Sequence, residues 1–288
     1  MTHFSLLLCT YAKDSPGQLC QCLESIYAQS VQPDELIIVK DGPLTGPLER
    51  VLSDISFPQD KIVTVALANN SSLGIARAAG LKAAKYDWVA LMDSDDICVP
   101  TRFEKQLSLI HMDSSLSIVG GQIAEFDDLP ERTTQYRHVP TSHNDILAYA
   151  KKRNPFNAMT VMFKRRLALE AGNFRYFPGF EDYDLWVRMI KHGARCANHP
   201  DVLVHARIGN GLYARRKGMW YIRSELRMQK QLKKLELISS LEFLRNLLIR
   251  IPIRLFPTRA LEFVYKQFAR LKRDETCDEN SGIPSRSR

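Results

Sequence analysis

The chain has 288 residues, 45% of them hydrophobic, with only 14 Gly and 14 Pro, which is the composition of an ordinary globular protein. This length can bury a full core and form one large domain, or a domain with an appendage. The six cysteines are scattered, without a CxxC pair or a histidine at zinc-finger spacing, so they argue against a disulfide scaffold and predict reduced thiols. Cys20 and Cys22 point apart on a predicted helix and are expected to be structural.

The net charge of +8 is distributed unevenly along the chain. Residues 1–206 hold 21 Lys and Arg against 24 Asp and Glu, whereas residues 207–273 hold 17 against 4. This asymmetry predicts a slightly acidic body with a cationic appendage that meets either nucleic acid or a membrane face. Because residues 1–10 lack the pattern of a signal peptide, we expect the protein to reside in the cytosol.

Short apolar runs alternate with helical patterns through the first half, which is the βαβ rhythm of a parallel sheet. Pro16 stands where the first turn of a helix accepts proline. The fold class is therefore α/β. The predicted strands span residues 4–9, 35–41, 61–69 and 87–93, and the predicted helices span 16–30 and 73–86.

The middle of the chain continues with mixed elements. A helix is predicted over 100–112, a strand over 117–126, a loop over 129–144 and a helix from 145 to 152. Residues 153–174 predict a turn, a strand and a helix in that order. An amphipathic helix is predicted over 180–193, with a glycine stop, and a further strand over 201–208.

The last third is basic and helical. Residues 215–240 predict a basic helix, and residues 241–272 mix Leu, Ile and Phe with arginines, with Pro252 and Pro257 expected to break any long helix. A membrane span needs about 18 consecutive apolar residues without charge, and the sequence contains no such stretch. Two interpretations remain: a helix lying in a bilayer interface, or one packed back on the domain. The apolar content beside arginine favours lipid over nucleic acid.

One acidic turn, in the sequence "VALMDSDDICVP", places Asp93, Asp95 and Asp96 directly after a predicted strand. Ligands of open α/β sheets bind beyond such strand ends, and the ends "TYAKD" and "VKDG" are expected at the same edge. The Asp-x-Asp spacing lets two carboxylates hold a hard divalent cation whose other positions diphosphate oxygens can fill. An ordinary solvated turn is the alternative for this motif alone.

The ordered set "TYAKD", "VKDG", "NNSSLGIARAAG", "LMDSDD" and "FEDYDLW" resembles the inverting family-2 glycosyltransferases of the GT-A fold. Within that family it is similar to bacterial enzymes of exopolysaccharide and lipopolysaccharide biosynthesis, over about residues 4–220. The resemblance implies a Rossmann-like nucleotide-diphospho-sugar transferase domain over 1–212 with a mostly parallel central sheet. A basic amphipathic helical region for membrane association would follow over 213–273, with a disordered tail over 274–288.

The resemblance also implies a nucleotide-sugar site. Thr10 and Tyr11 match residues beside the base, and Asp41 matches the carboxylate that hydrogen-bonds uracil. Lys13 and Arg77 match cations near the diphosphate and ribose. Taken one at a time, these residues could equally be turn, cap or surface residues.

The same resemblance implies a divalent metal, Mn²⁺ or Mg²⁺, at the acidic turn. Asp93 matches the ribose-contacting member of the Asp-x-Asp motif and Asp95 its metal ligand. Asp96 either assists or caps the helix near Pro100. His205 is a further candidate ligand, with a hydrogen-bonded structural role as the alternative.

In "GFEDYDLW", Asp182 matches the catalytic base of the family. Its neighbour Glu181 is expected at the acceptor site, as are Trp186 and Asn157. A pair of carboxylates at a helix start could also serve only the helix. The chain departs from the family at Ala158, where a histidine is common. A further basic group either closes over the diphosphate or begins the basic surface: Arg215, Arg216 and Lys217.

Together these features predict a metal-dependent inverting transferase that uses a nucleoside-diphosphate sugar, with UDP expected as the nucleotide. Its partners would be a lipid-linked saccharide acceptor and the anionic inner face of the cell membrane, where the protein would be peripheral, and no nucleic acid. The alternative is a nucleotide-binding component of a polysaccharide-assembly complex without catalysis. The sequence predicts neither the sugar nor the oligomeric state.

Overall fold

The computed structural model describes residues 2–208, 218–255 and 271–272. The strands are β1 (Phe4–Thr10), β2 (Glu35–Lys40), β3 (Ile62–Ala66), β4 (Trp88–Asp93), β5 (Ile97–Cys98), β6 (Leu116–Phe126), β7 (Thr133–Arg137), β8 (Met162–Lys164), β9 (Arg195–Arg207) and β10 (Leu271–Lys272). The helices are α1 (Pro16–Tyr27), α2 (Gly46–Ser53), α3 (Leu73–Ala83), α4 (Arg102–Met112), α5 (His143–Ala150), α6 (Arg165–Glu170), α7 (Glu181–Lys191), α8 (Gly218–Lys234) and α9 (Ser240–Leu255).

One mixed sheet runs through the molecule in the order β10-β7-β6-β8-β4-β1-β2-β3, with β9 paired to β6 and β5 to β9. β1 is parallel to β2 and β4, and β2 is parallel to β3, which confirms the predicted parallel half. β8 is antiparallel to β4 and β6, whereas β9 runs parallel to β6. Because the chain leaves β1 on one side and returns to β4 on the other, a crevice forms beyond their carboxyl ends, where ligands of such sheets bind.

The strand residues alternate between two buried layers. Leu6 and Leu8 of β1 pack on one face with Leu19 of α1, while Leu7 packs on the other face with Leu81 of α3. This follows from the two-residue period of a strand, in which successive side chains point to opposite faces. With both faces covered, the strands near the crevice form a rigid base for the loops that carry polar groups.

Local chemistry explains where several helices begin. Pro16 occupies the first turn of α1, where its missing N–H is not needed. The hydroxyl of Ser142 caps α5 by accepting from the Asp145 amide at 3.3 Å. α7 has three carboxylates in its first turn, which the positive end of the helix dipole stabilises.

The helices α8 and α9 pack on the body through a third apolar cluster. Phe180, Tyr183 and Val187 from the region of α7 contact Met228 and Leu232 of α8 there. On α9, the Asn246 amide nitrogen donates to the Lys151 carbonyl oxygen at 2.9 Å. In the part of the chain that the structure describes, no helix has the length and apolar character needed to cross a bilayer.

Candidate active site

A cavity of about 1000 Å³ opens at the edge of the sheet between α3, α7 and α9. Its wall includes Arg77 and Asp93, together with Glu181 and Asp182 of α7. Basic residues from the segment after α5 and from α9 also line it. The cavity therefore brings together residues that are far apart in the sequence.

The acidic turn is fixed in place by a residue of another strand, β9. Asp93 ends β4, and the amide of Arg207, at the end of β9, donates to Asp96 Oδ1 at 2.8 Å. The guanidinium of Arg207 also donates to the Asp95 carbonyl oxygen at 3.1 Å. Burial, with Asp95 and Asp93 close by, raises the pKa of Asp96 well above its ordinary value. Asp96 thus supports the turn from behind, and Asp95 is only partly buried.

Arg77 of α3 connects the turn to the centre of the cavity. Its side chain is 4% exposed and forms an ion pair with Asp93 at 2.6 Å. The guanidinium also lies 5.9 Å from the ring centroid of Phe174. Burial alone would lower the pKa of Arg77, but the carboxylates of Asp93 and Asp182 outweigh it and raise the pKa above its ordinary value. Arg77 is therefore a fixed positive charge between two carboxylates.

Asp182 lies in the first turn of α7 and is held by one neutral donor. The amide nitrogen of Asn154 donates to Asp182 Oδ2 at 3.0 Å. The Tyr183 hydroxyl donates to the Ala150 carbonyl oxygen, which ties the same segment to α7. Burial, and then the neighbouring Asp182, raises the pKa of Glu181. A partly buried carboxylate with an oriented oxygen on a cavity wall has the setting of a general base.

The comparisons with known proteins agree with this geometry. The model of "Glycosyl transferase family 2" matches residues 5–172. This chain belongs to glycosyltransferase family 2.

Two relatives and one solved structure are similar to this family-2 glycosyltransferase. The amylovoran biosynthesis glycosyltransferase AmsE of Erwinia amylovora is 37% identical, over 92% of this chain and 98% of the relative. The UDP-Gal:alpha-D-GlcNAc-diphosphoundecaprenol beta-1,3-galactosyltransferase of Escherichia coli is 36% identical, over 93% and 96%. A mannosyltransferase of Pyrobaculum calidifontis, solved with GDP-Man and Mn²⁺, shares the fold with a TM-score of 0.63 at 18% identity, over 91% of this chain and 74% of that one. The GT-A fold predicted from the sequence is thereby confirmed.

The family-2 glycosyltransferase also holds Asp41 in a ring of local donors. Ser71 donates to Asp41 Oδ1 through its amide and its hydroxyl, both at 2.8 Å, and Asn70 donates to Oδ2 at 3.1 Å. The Ser72 amide adds a bond at 3.3 Å from a residue with a φ of 128°, a conformation that favours glycine. A nucleotide base that hydrogen-bonds to Asp41 would therefore share the carboxylate with these donors or displace them.

The predicted nucleotide residues at the end of β1 and in the loop after it lie outside the cavity wall. The Thr10 carbonyl oxygen accepts from the Asp41 amide at 2.8 Å, so the ends of β1 and β2 meet as expected. Tyr11 is 37% exposed and Lys13 is exposed as well. Among the described residues, the wall includes Arg77 and Asp93 but not Thr10, Tyr11, Lys13, Asp41 or Asp95.

Two residues predicted at the acceptor surface lie behind the wall instead. Trp186 is 0% exposed and packs edge-on against Phe163, with ring centroids 5.2 Å apart. Asn157, also 0% exposed, donates to the Gly121 carbonyl oxygen at 2.8 Å and accepts from Arg137. The large aromatic ring fills the core below α7, and the amide satisfies buried backbone. This placement corrects the expectation that their side chains line the acceptor site.

The remaining predicted residues have mixed outcomes. Ala158 lies on the cavity wall, where its small side chain leaves space. His205 of β9 pairs with Ile97 of β5, and burial lowers its pKa, so the ring is neutral near pH 7. Its role as a metal ligand stays a prediction. Arg215, Arg216 and Lys217 lie outside the described residues.

Sequence reasoning missed the carboxylate that anchors α7. Asp184 is 0% exposed and accepts from Arg175 at 2.6 and 2.7 Å and from Arg188 at 2.9 Å. Arg188 also donates to the Asn173 carbonyl oxygen at 2.7 Å. The signal was present in "EDYD", because Asp184 lies on the apolar face of the predicted helix, where an unpaired carboxylate would be costly.

Proposed function

We propose that this glycosyltransferase moves a sugar from a nucleoside-diphosphate sugar, with UDP as the expected nucleotide, to a lipid-linked saccharide in cell-surface polysaccharide biosynthesis. The observation that carries the proposal is the single cavity that holds Asp93 of the acidic turn and Asp182 of α7 with Arg77 between them. The Escherichia coli relative, whose name gives a UDP-sugar donor and a diphosphoundecaprenol-linked acceptor, supports the substrate classes.

The acidic turn offers two carboxylates to a Mg²⁺ or Mn²⁺ ion, and no group of three or more His, Cys, Asp or Glu side chains among those that the structure describes is arranged to hold one. Asp93 and Asp95 supply carboxylates two residues apart, and Asp95 is partly exposed at the turn. Such cations commonly take one or two carboxylates and complete their shell with water and substrate phosphates. The residues that would hold the cation are therefore Asp95 and Asp93, with His205 as a further candidate. When bound, it would offset the negative charge that grows on the departing diphosphate.

The chain's own residues supply the acid–base chemistry. Asp182 accepts the proton of an acceptor hydroxyl as the hydroxyl oxygen forms its bond to the anomeric carbon. The bond from that carbon to the diphosphate oxygen breaks, and its electron pair leaves with the nucleoside diphosphate. Attack from the side opposite the leaving group inverts the anomeric configuration. Asn154 orients the carboxylate of Asp182, and Arg77 adds a fixed positive charge on the donor side.

We also place the enzyme peripherally on the inner face of the cell membrane. The outward side of α9 carries Leu241, Leu244 and Leu248, whose exposed fractions are 77%, 53% and 67%. These positions fall on one side of the helix, with Arg245 beside them. An apolar row with cations beside it suits the boundary between headgroups and acyl chains.

The decisive test is Asp182→Asn. The amide keeps the shape of the side chain but does not take a proton, so we expect transfer to fall by about 10²- to 10⁴-fold. The assay measures transfer from a panel of UDP-sugars to a short-chain analogue of GlcNAc-diphospholipid. Asp54→Asn, at an exposed carboxylate at the end of α2, is the matched control.

A thermal-shift screen separates chemistry from binding. UDP, GDP, CDP and TDP with Mn²⁺, Mg²⁺ or EDTA should stabilise Asp182→Asn as they do the wild-type protein, because the nucleotide contacts lie elsewhere. In Asp95→Ala the metal-dependent stabilisation should be lost. Full transfer by a folded Asp182→Asn variant would overturn the role of the base.

A further inference from the structure

One part of the cavity wall, formed by the segment after α5 and by α9, is strongly basic. Lys152 and Arg153 follow α5, and Arg245, Arg250 and Arg254 come from α9. We call these five residues the basic end. The four carboxylates of the cavity wall belong to other elements: Asp93 of β4, Glu125 of β6, and Glu181 and Asp182 of α7.

One buried carboxylate holds two of these cations in place. Glu225 of α8 is 0% exposed and accepts from Arg250 at 2.5 Å and from Arg254 at 3.4 Å. Burial opposes the ionisation of Glu225, but the two guanidinium groups outweigh it and hold the pKa of Glu225 below its ordinary value. One carboxylate thus holds two guanidinium groups in place. The three groups together carry a net positive charge.

The other cations of the basic end add to that excess. Lys152 and Arg245 are exposed and Arg153 is partly buried. Within the described ranges, these three side chains form no ion pair with a carboxylate. Arg250 also donates to the Lys152 carbonyl oxygen at 2.6 Å, which joins α9 to the segment after α5. The basic end is therefore a preformed anion site on a fixed backbone.

The basic end comes from other elements than the acidic turn and adjoins the residue that orients Asp182. Asn154, which donates to Asp182, is two residues from Lys152. Two residue steps span at most about 7 Å of backbone, roughly the width of a sugar ring. An acceptor whose hydroxyl reaches Asp182 can therefore place an anionic substituent at the basic end, while the donor diphosphate lies toward Asp93.

The apolar row on α9 continues outward from the same place. Ile249 lines the cavity and is 57% exposed, and Leu244 and Leu248 lie next to it on the outer side of the helix. Cationic and apolar groups on one helix face match a ligand with a phosphate followed by an aliphatic chain.

From these observations we infer that the basic end binds the diphosphate of a lipid-linked acceptor and that the aliphatic chain leaves along α9. Five cations against two carboxylates, Glu225 and the Glu242 near Arg245, favour a diphosphate over a monophosphate. Lys152 and Arg245 are then specificity-determining residues for the acceptor. This inference rests on the proposed function, because it names the acceptor group that the same cavity would hold.

The test measures binding of farnesyl diphosphate, farnesyl monophosphate and farnesol to the full-length protein in EDTA by calorimetry. We expect the diphosphate to bind at least tenfold more tightly than the monophosphate. Lys152→Ala and Arg245→Ala should each weaken the diphosphate at least fivefold. Arg166→Ala, at an exposed arginine of α6, should leave its affinity unchanged.

Two further measurements identify the occupant. Saturating UDP with Mn²⁺ should change the affinity for farnesyl diphosphate less than twofold, and loss of binding would assign the site to the donor instead and overturn the inference. Lys152→Ala should change sedimentation with phosphatidylglycerol vesicles little. If the variant lost binding to vesicles and to farnesyl diphosphate equally, the basic end would be a surface for lipid headgroups and the inference would be overturned. Metal-dependent stabilisation by UDP must persist in both variants, so failure here is distinct from failure of the proposed function.

Discussion

At the scale of single residues, Arg77 determines the charge balance of the cavity. It lies between the acidic turn and the base, is almost completely buried and pairs with Asp93 at 2.6 Å. A buried cation that loses its partner keeps the cost of desolvation without the compensating attraction. The two side chains should therefore depend on each other energetically.

We expect a double-mutant cycle to show this coupling. Arg77→Met, Asp93→Asn and the double variant should give a coupling of about 1 kcal/mol or more in the free energy of unfolding, measured by urea denaturation. The reason is that each single variant leaves one charge of the pair without its partner.

A second ion pair in the same chain is the control for this cycle. Arg166 and Glu170 of α6 are 3.4 Å apart, but their side chains are 85% and 54% exposed. Their coupling should be indistinguishable from zero, because water screens both charges. Equal coupling in the two cycles would show that burial does not strengthen the Arg77 pair.

At the scale of elements, the contact between the first turns of α3 and α7 positions Asp182, the proposed base. A side chain at Gly74 would place its Cβ 2.3 Å from the Arg175 carbonyl oxygen and 2.9 Å from Cγ of Glu181. The two helices can approach this closely only because residue 74 has no side chain. Asp184 holds the same end of α7 from the other side through Arg175 and Arg188.

Gly74→Ala should therefore damage both stability and activity. We expect a loss of about 1–3 kcal/mol in the free energy of unfolding, because the added methyl group must displace backbone. We also expect transfer to decrease, because Glu181 and Asp182 would shift. Chemical denaturation and the transfer assay measure the two effects.

Gly17→Ala provides the matched helical control. A Cβ at residue 17 of α1 would meet nothing within 4 Å. This variant should be neutral or gain up to about 1 kcal/mol, because alanine restricts the unfolded chain. If both glycine variants behaved alike, the close approach of α3 and α7 would have no role.

Much of the element pattern could be predicted from the sequence, and the failures have physical reasons. The parallel strands and the helices between them follow from local periodicity, as does α7 with its acidic first turn. β7 was predicted as loop, because its five residues become a strand only by pairing with β6. Pro252 was expected to break the last helix, yet α9 continues to Leu255 and the turn lies at residues 235–239. Inside the described helix, Pro252 removes only one backbone N–H donor.

The site was predictable where a motif marks it and less so where packing decides. Asp93, Asp182 and Arg77 line one cavity, which three separate motifs made predictable, while their roles stay predictions. The burial of Trp186 could not be predicted, because only the tertiary contacts of α7 show which face of the helix is buried. The contribution of α9 to the cavity wall also required the fold, since charge counts alone do not show where a basic helix packs.

At the scale of the whole molecule, the excess positive charge of the C-terminal third contributes to one site, the cavity. Much of the positive charge of α9 points toward the cavity, where Glu225 fixes Arg250 and Arg254. The folded-state pKa of Glu225 lies below its ordinary value. Glu225 therefore stabilises the fold fully above its unfolded pKa of about 4.3, and this contribution is lost as pH falls further.

Comparing Glu225→Gln with the wild-type protein tests this dependence. The variant should be less stable at pH 7, and the difference in free energy of unfolding should shrink as pH falls below about 4.5. Denaturant titrations between pH 3 and 7 would measure it, with Glu170→Gln on the surface as the control. A difference that stays constant with pH would show that folding does not shift the pKa of Glu225, and one that grows as pH falls would show that the carboxyl group is neutral in the fold.

The shared cavity also affects the order of events during turnover. Because the acidic turn, the base and the basic end share one space of about 1000 Å³, donor and acceptor are expected to be present together when the sugar moves. Such an enzyme should show sequential kinetics, with intersecting reciprocal plots. The two products could then depart by different routes, the nucleotide past the acidic turn and the lengthened glycolipid along α9. The same enzyme could therefore reload with donor before the membrane-bound product has diffused away.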